Sequence, residues 1–266
     1  MAGYADFHSH LIPGVDDGSQ TLAEAVHSLE RMLDAGITRV ITTPHLSASI
    51  ATTHDFAAYL GLFDRRWNML RDVVRDRHPD LDFRRGFEVR LDAAFPDTQD
   101  ERLRLGGTRF VLVEWHGFRA HGETPEMLER IAAGGLTPVV AHPERYYGID
   151  ERLDVVRAWK SAGAFLQGNY GSLAGQNGPR ARDLLIRLLR EGLLDYLCSD
   201  FHGRPNYTLY FPPGADRLQR LGGAAQLELL GKVNPGRLFD DRPPFPVPPL
   251  VVDEQESDRF ASGSPG

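Results

Sequence analysis

The chain has 266 residues, 30 Lys+Arg against 37 Asp+Glu for a formal net charge of −7, 10 His and a single Cys. Lone Cys198 excludes a disulfide framework, Cys-rich zinc modules and Fe–S clusters. No apolar run approaches the ~20 residues of a membrane span, and the acidic balance speaks against non-specific nucleic-acid binding. The opening Met1-Ala2-Gly3-Tyr4-Ala5-Asp6 lacks the basic and apolar regions of a secretory signal. A cytoplasmic protein with no nucleic-acid partner and no membrane insertion is expected.

In chain order, short β-branched or apolar runs alternate with helical patterns. The expected strands are Tyr4–His8, Thr38–Thr43, Leu81–Val89, Arg109–Trp115, Thr137–Ala141, Ala164–Gly168 and Tyr196–Ser199. Thr21-Leu22-Ala23-Glu24 reads as a capping box ahead of a helix over Leu22–Asp34, with Gly36 as its stop. Phe56, Leu60, Phe63, Trp67, Leu70 and Val74 recur at spacings of three and four and predict one long helix to about Arg77. Thr124-Pro125 reads as an N-cap and first-turn proline opening Glu126–Ala133. Further helices are expected over Asp150–Ala162 and Arg180–Glu191, each stopped by a glycine. Strand–helix alternation calls for a parallel sheet covered by helices. Seven such strands suggest an α/β fold of the TIM-like barrel type, with an open doubly wound sheet as the alternative. One domain, residues 1–239, is followed by a Pro-rich tail, residues 240–266, whose composition denies it helix and central strand; it is expected to be extended or disordered.

Potential metal ligands fall at the ends of these strands. His8 and His10 close the first and Asp16-Asp17 follow in a Gly-bounded loop; His45 follows the second. Glu88 closes the third and Glu114 the fourth; His142 follows the fifth, and Asp200 and His202 the seventh. In parallel α/β folds the C-terminal strand ends share one face, so side chains more than a hundred residues apart would meet there. His with Asp/Glu and no thiolate suits divalent Mn, Fe or Zn. His8 and His10, two apart on an extended segment, point to the same side. Paired ions lower the pKa of a bridging water and steady both ends of an in-line displacement.

A lone histidine in a loop is ordinarily no ligand, and His27, His54, His78 and His121 are read that way. His116, two residues beyond Glu114, is ambiguous. Gly106-Gly107 and Gly134-Gly135 are turn glycines, because no Lys-Ser/Thr follows. Ser199 lacks a nucleophile elbow, and Cys198 sits in an apolar strand and reads as inert core. Arg145, three residues after His142, and Arg204, two after His202, should stand at the rim of the same face, where a guanidinium could fork onto phosphate.

Taken together, Asp6-Phe7-His8-Ser9-His10-Leu11-Ile12-Pro13-Gly14-Val15-Asp16-Asp17-Gly18, Thr42-Thr43-Pro44-His45, Gly86-Phe87-Glu88, Val113-Glu114, Ala141-His142-Pro143-Glu144-Arg145-Tyr146, Gly168-Asn169, Ser199-Asp200-Phe201-His202 and Asn234-Pro235 carry a resemblance. The chain resembles the PHP-domain (polymerase and histidinol phosphatase) superfamily over about residues 4–239. More narrowly it is similar to the CpsB/YwqE-type bacterial tyrosine phosphatases of capsule and exopolysaccharide operons. The resemblance implies a distorted (β/α)7 barrel, the PHP fold, with three divalent metal ions, Mn by family habit, although the ligands also accept Fe, Zn or Co. It places His8, His10, Glu88 and Asp200 on a first ion, Glu88, Glu114 and His142 on a second, and Asp17, His45 and His202 on a third; Asp17, not Asp16, matches the family ligand. Arg145 matches a phosphate-holding arginine. Arg204 follows its histidine more closely than in relatives, and Leu46 stands where relatives often carry a polar residue. A general acid is left open between His116 and a metal-bound water.

The implied reaction is metal-dependent hydrolysis of a phosphomonoester, with the phosphotyrosine tail of a membrane-associated tyrosine autokinase as partner. The alternatives are a small-molecule phosphatase acting on a substrate such as histidinol phosphate, and a metal-bound scaffold without turnover. The amidohydrolase fold also opens with His-x-His, but it recruits a lysine to bridge its metals, and only Lys160 and Lys232 are available, neither at a suitable strand end.

Overall fold

The computed structural model describes residues 3–53, 55–94, 100–119, 122–149 and 153–251. Its strands are β1 (Tyr4–Asp6), β2 (Ile37–Thr42), β3 (His45–Ser47), β4 (Asp82–Arg85), β5 (Glu88–Arg90), β6 (Phe110–Glu114), β7 (Thr137–Ala141), β8 (Phe165–Asn169) and β9 (Tyr196–Cys198). They form two parallel sheets, β1-β2-β4 and β3-β5-β6-β7-β8-β9.

One expected strand is followed by a further short strand, and another is broken in two. The run Thr38–Thr43 becomes β2, and β3 follows beyond Pro44, which has no N–H to give a ladder. The run Leu81–Val89 becomes β4 and β5 across Gly86-Phe87, where a Cβ on Gly86 would stand 2.9 Å from the Arg104 carbonyl oxygen. The halves stay in step through Gly86 N–H to Thr42 C=O (3.0 Å) and Glu88 N–H to Pro44 C=O (3.1 Å). At the other edge the chain beyond β1 meets the chain beyond β9. Asp200 N–H donates to the His8 carbonyl and His10 N–H to the Phe201 carbonyl, both at 2.9 Å. Seven strand positions therefore follow one another around a distorted (β/α)7 barrel, with its hydrogen bonding divided between two sheets.

Strand alternation sorts the apolar residues into two layers. Ala5, Phe7, Ile41, Phe110, Leu112, Val139, Ala141, Tyr196 and Cys198 fill the inside, with Leu238 and Phe239 packed among them. Val40, Val111, Val113, Val140, Leu166 and Leu197 face the helices in the larger core. Cys198 is fully buried, and burial pushes its thiol well above the ordinary range.

The helices are α1 (Leu22–Asp34), α2 (Phe56–Arg77), α3 (Thr124–Ala133), α4 (Asp154–Ser161), α5 (Tyr170–Leu173), α6 (Gly178–Arg190), α7 (Phe211–Arg220), α8 (Ala224–Glu228) and α9 (Asn234–Phe239), with a π-helical turn at Leu229–Val233. At the start of α1, Thr21 Oγ1 accepts from Glu24 N–H, whereas Glu24 returns its bond to Gln20 N–H rather than to Thr21. Thr124 is not an N-cap: Glu123 holds that place, and Thr124 Oγ1 accepts instead from the buried Trp159 indole at 2.7 Å. The helix expected from Asp150 begins at Asp154; residues 150–152 lie outside the described residues.

Beyond α9 the chain to Val251 has neither helix nor strand. The Asn234 amide brackets Phe245, donating to its carbonyl at 2.9 Å and accepting from its N–H at 2.8 Å, and also donates to the Asp195 carbonyl at 3.0 Å. Val247 and Leu250 are buried, and Leu250 N–H donates to the Leu189 carbonyl. This segment crosses the N-terminal end of β9, opposite the ligand-bearing face. Residues 252–266 lie outside the described residues.

Candidate metal centre

The C-terminal strand ends bring together all nine side chains singled out above. Their potential ligand atoms form overlapping groups: His8 with His10 and Glu88; His8 with His142 and Asp200; His45 with Glu88 and Glu114; and His10 with Asp17, His45 and His202. Glu88 is the hub. Its Oε2 stands 3.3 Å from His8 Nε2, 3.5 Å from His10 Nε2 and 3.0 Å from His45 Nδ1, and its Oε1 stands 2.9 Å from His142 Nε2. Asp200 Oδ1 lies 3.4 Å from both His8 Nε2 and His10 Nε2. Asp17 Oδ1 lies 3.3 Å from His202 Nε2 and 3.6 Å from His45 Nε2. His45 stands nearer to Glu88 and Glu114 than the sequence grouping supposes, and His10 reaches towards the outer group.

Two of these residues carry left-handed backbone, His142 at φ +36° and Asp200 at φ +50°. Such a conformation is costly for a residue with a side chain and persists where surrounding structure enforces it. At Asp200 the enforcement is the N–H bond to His8 C=O; at His142 it is an N–H bond to the Gln167 carbonyl at 2.7 Å.

A layer of polar residues that spacing does not reveal orients the imidazoles. His8 Nδ1–H donates to Gln167 Oε1 at 2.8 Å; the Gln167 amide donates to Asn169 Oδ1, and Asn169 donates to Asp200 Oδ2, each at 2.8 Å. His10 Nδ1–H donates to Asp16 Oδ2 at 2.8 Å, and the same carboxylate accepts from His45 N–H at 3.1 Å. His202 Nδ1–H donates to the Asp200 carbonyl at 3.1 Å. Each bond fixes the proton on Nδ1 and turns the Nε2 lone pair towards the carboxylates, the arrangement a metal-binding histidine requires. Asp6 accepts from His8 N–H and Ser199 N–H, clipping β1 to β9; burial raises its carboxyl to about 6 against those bonds. Arg90 donates to Glu114 at 3.0 Å, and Glu144 accepts from Asn169 N–H and Ser172 O–H.

The electrostatics are those of a cation site. Burial opposes protonation of His8, but Glu88 and Asp200 overcome it and raise the imidazole to about 10. Burial likewise opposes the charged form of His45 and His202, yet Glu88 and Glu114 raise the first to about 11, and Asp17 and Asp200 raise the second to about 9. Burial also works against the Glu88 and Asp200 carboxylates, and the surrounding histidines hold both well below the usual range. The His202 hydrogen bond does the same for Asp17. His8 Nε2, His10 Nε2, His45 Nδ1 and Glu88 Oε2 are buried without a hydrogen-bond partner. Buried polar atoms are rarely left so, and divalent ions among them would satisfy all four. The donor set, imidazole and carboxylate without thiolate, fits such ions.

The remaining candidates fall elsewhere. Arg145 stands at the mouth, with Nη1 donating to Asp200 Oδ2 at 2.9 Å and the guanidinium 4.2 Å from the Phe118 ring centre. Arg204 donates from Nε to the Asp17 carbonyl at 3.0 Å, bracing the loop that carries Asp17. His116 is exposed in the turn after β6 and joins none of the ligand groups found among the described residues. From that turn it is Phe118 that packs edge-on against His142. His27 is exposed and His78 is the C-cap of α2, while His54 and His121 lie outside the described residues. Lys160 pairs with Asp195 and Lys232 with Glu228, so no lysine enters the centre. Beside it opens a cleft of about 370 Å³, lined by Asp17, Arg145, Asn177, Asp200, His202 and Tyr207 among others.

Barrel and site together define a class: a parallel (β/α)7 barrel with a His/carboxylate centre able to bind metal at the C-terminal strand ends. The chain belongs to the family described as "Capsular polysaccharide synthesis, CpsB/CapC", whose model matches residues 4–240. Among curated relatives, "Tyrosine-protein phosphatase YwqE" of Bacillus subtilis (strain 168) is 26% identical over 198 residues, 74% of this chain and 76% of that protein. "Tyrosine-protein phosphatase CpsB" of Streptococcus pneumoniae is 25% identical over 248 residues, 89% of this chain and 98% of that protein. In fold, the chain matches a crystal structure from work on YwqE of Bacillus subtilis and CpsB of Streptococcus pneumoniae, described as metal-dependent tyrosine phosphatases. The TM-score is 0.79 at 24% identity, with 94% of this chain and all of that one covered.

Proposed function

We propose that this protein is a metal-dependent phosphomonoesterase that dephosphorylates protein phosphotyrosine. The observation that carries the reading is the group of buried potential ligand atoms without hydrogen-bond partners on His8, His10, His45 and Glu88, ringed by further carboxylates, in a chain of the CpsB/CapC family. His8, His10, Glu88 and Asp200 are assigned to one ion, Glu88, Glu114 and His142 to a second, and Asp17, His45 and His202 to a third, with Mn as the native metal. Bound divalent ions would neutralise phosphate charge and supply the hydroxide for an in-line attack.

The chain's own part is orientation and charge. Arg145, the guanidinium at the mouth, offers phosphate a two-point fork and offsets charge in the transition state. A phenol has a pKa near ~10, so a phenolate departs more readily than an alkoxide and demands less of a general acid; none is assigned to His116. Arg204 is assigned to steadying Asp17. Residues 1–239 are the catalytic unit. The partner chemistry is an exposed phosphotyrosine segment, such as the tail of a tyrosine autokinase, met in the cytoplasm.

The test is phosphate release from a phosphotyrosine peptide by the full chain, with EDTA or added Mn, beside the His8→Ala and Asp200→Ala variants. Turnover should depend on Mn and fall by at least ~100-fold in both variants. Full activity in either folded variant would refute the ligand assignment, and a clear preference for histidinol phosphate would refute the protein substrate.

A further inference from the structure

The turn that presents Arg145 is itself held by a second arginine. Arg180 lies in the first turn of α6. Its Nη2 donates to the Arg145 carbonyl at 2.9 Å and its Nη1 to the Tyr146 carbonyl at 3.0 Å, so one planar guanidinium forks onto two successive peptide oxygens. The same group lies over the Tyr147 ring, 4.5 Å from its centre. Tyr147 N–H in turn donates to the Phe118 carbonyl at 2.6 Å, and the Phe118 ring stacks under the Arg145 guanidinium.

Arg145 is thus fixed from both ends. Asp200 and Phe118 locate its guanidinium, and Arg180 locates its backbone. The turn starts from left-handed His142, and its own bonds, Arg145 N–H to the His142 carbonyl at 2.9 Å and Tyr146 N–H to the Pro143 carbonyl at 3.3 Å, leave the Arg145 and Tyr146 carbonyls to an outside donor. A guanidinium suits the task where an ammonium does not: its N–H groups diverge at a fixed angle that two adjacent carbonyls can meet, whereas lysine offers one mobile point.

We propose that Arg180 is a positioning residue that holds Arg145 in the conformation that receives phosphate. The inference rests on the phosphate-binding reading of Arg145 above. It assigns Arg180 no contact with substrate; its influence passes through Arg145 alone.

The test is a double-mutant cycle on the full Mn-loaded chain with inorganic phosphate as probe, its Kd read by calorimetry, so the readout does not require turnover. Arg180→Ala should weaken phosphate roughly three- to tenfold, the scale of one or two lost carbonyl bonds. Arg180→Lys should weaken it to a similar degree although the charge is kept. In an Arg145→Ala background, Arg180→Ala should cause no further loss. Wild-type affinity in Arg180→Ala, full rescue by Arg180→Lys, or losses that multiply in the double variant would each overturn the proposal. Unchanged phosphate affinity in Arg145→Ala would overturn it together with the reading of Arg145. A wild type that binds phosphate but hydrolyses no phosphomonoester would instead refute the hydrolase reading and leave the cycle to decide on Arg180.

Discussion

A histidine can offer a metal either ring nitrogen, and for three of the imidazoles at the barrel mouth the choice is made by an acceptor behind the ring. Gln167 makes it for His8, Asp16 for His10 and the Asp200 carbonyl for His202. Asp16 serves two neighbours, because it also accepts from His45 N–H. Asp16→Ala should therefore weaken Mn binding by about 10–100-fold without abolishing it, the usual range for an outer-layer partner; wild-type affinity in a calorimetric titration would refute the role. The raised imidazoles add a pH dependence. With His8, His45 and His202 raised to about 10, 11 and 9, each is protonated at neutral pH, and each proton must leave before its lone pair can bind. Mn affinity should climb as pH rises from 6.5 towards 9, with protons released on binding. Titrations in buffers of different ionisation enthalpy measure both, and a flat pH profile would contradict the expectation. Where the ligand-type side chains meet was legible in the sequence, since strand ends follow from alternation. Asp16, Gln167 and Asn169 were not, because an orienting partner needs only to lie behind a ring and follows no spacing rule.

Among the elements, the long helix α2 and the helix α1 were legible from their period and punctuation. Departures came where tertiary contacts outbid a local signal. Thr124 has the chemistry of a cap, but the Trp159 indole claims its hydroxyl. The strand run through Gly86 looks continuous, yet the barrel bends there, and the short β3 beyond Pro44 was not expected. Helices α7 to α9 went unread because Pro212-Pro213 and the glycines around α8 resemble loop punctuation, although proline is well tolerated in a first turn. At this scale Asn234 binds α9, the start of β9 and the arm beyond Asp240 into one unit. Asn234→Ala should cost about 2–3 kcal/mol, since it strips partners from buried backbone groups. Urea unfolding should show a lower midpoint with Mn affinity retained, because the clamp lies at the far end of the barrel; loss of metal affinity would place the defect elsewhere.

For the whole molecule, the nine clustered side chains place four carboxylates and five imidazoles in one mouth. The net charge of −7 is therefore unevenly held, and divalent cations would more than offset the acids gathered there. Ions that bind only the assembled mouth stabilise the fold by mass action, by about 2.7 kcal/mol at a hundred times Kd. Chelation should then lower Tm by about 5–10 °C for a chain near this size. Differential scanning calorimetry with and without EDTA measures it, and a His8→Ala variant should lose most of the Mn-dependent shift. An EDTA-insensitive Tm in a protein shown to carry metal would argue that the ions do not tie strands together.

The meeting of the β1 and β9 ends carries a consequence for biosynthesis. His8 and Asp200 both touch across that junction and both point at the same group of lone pairs. On the ribosome one emerges long before the other, by roughly 10–40 s at common bacterial elongation rates of ~5–20 residues per second. Seven of the nine side chains precede β9, but the group of His8 with His142 and Asp200 and the group of His10 with Asp17, His45 and His202 are completed only when the last strand docks. A product truncated before β9, lacking Asp200 and His202, would leave the ribosome with those two groups each short of a ligand.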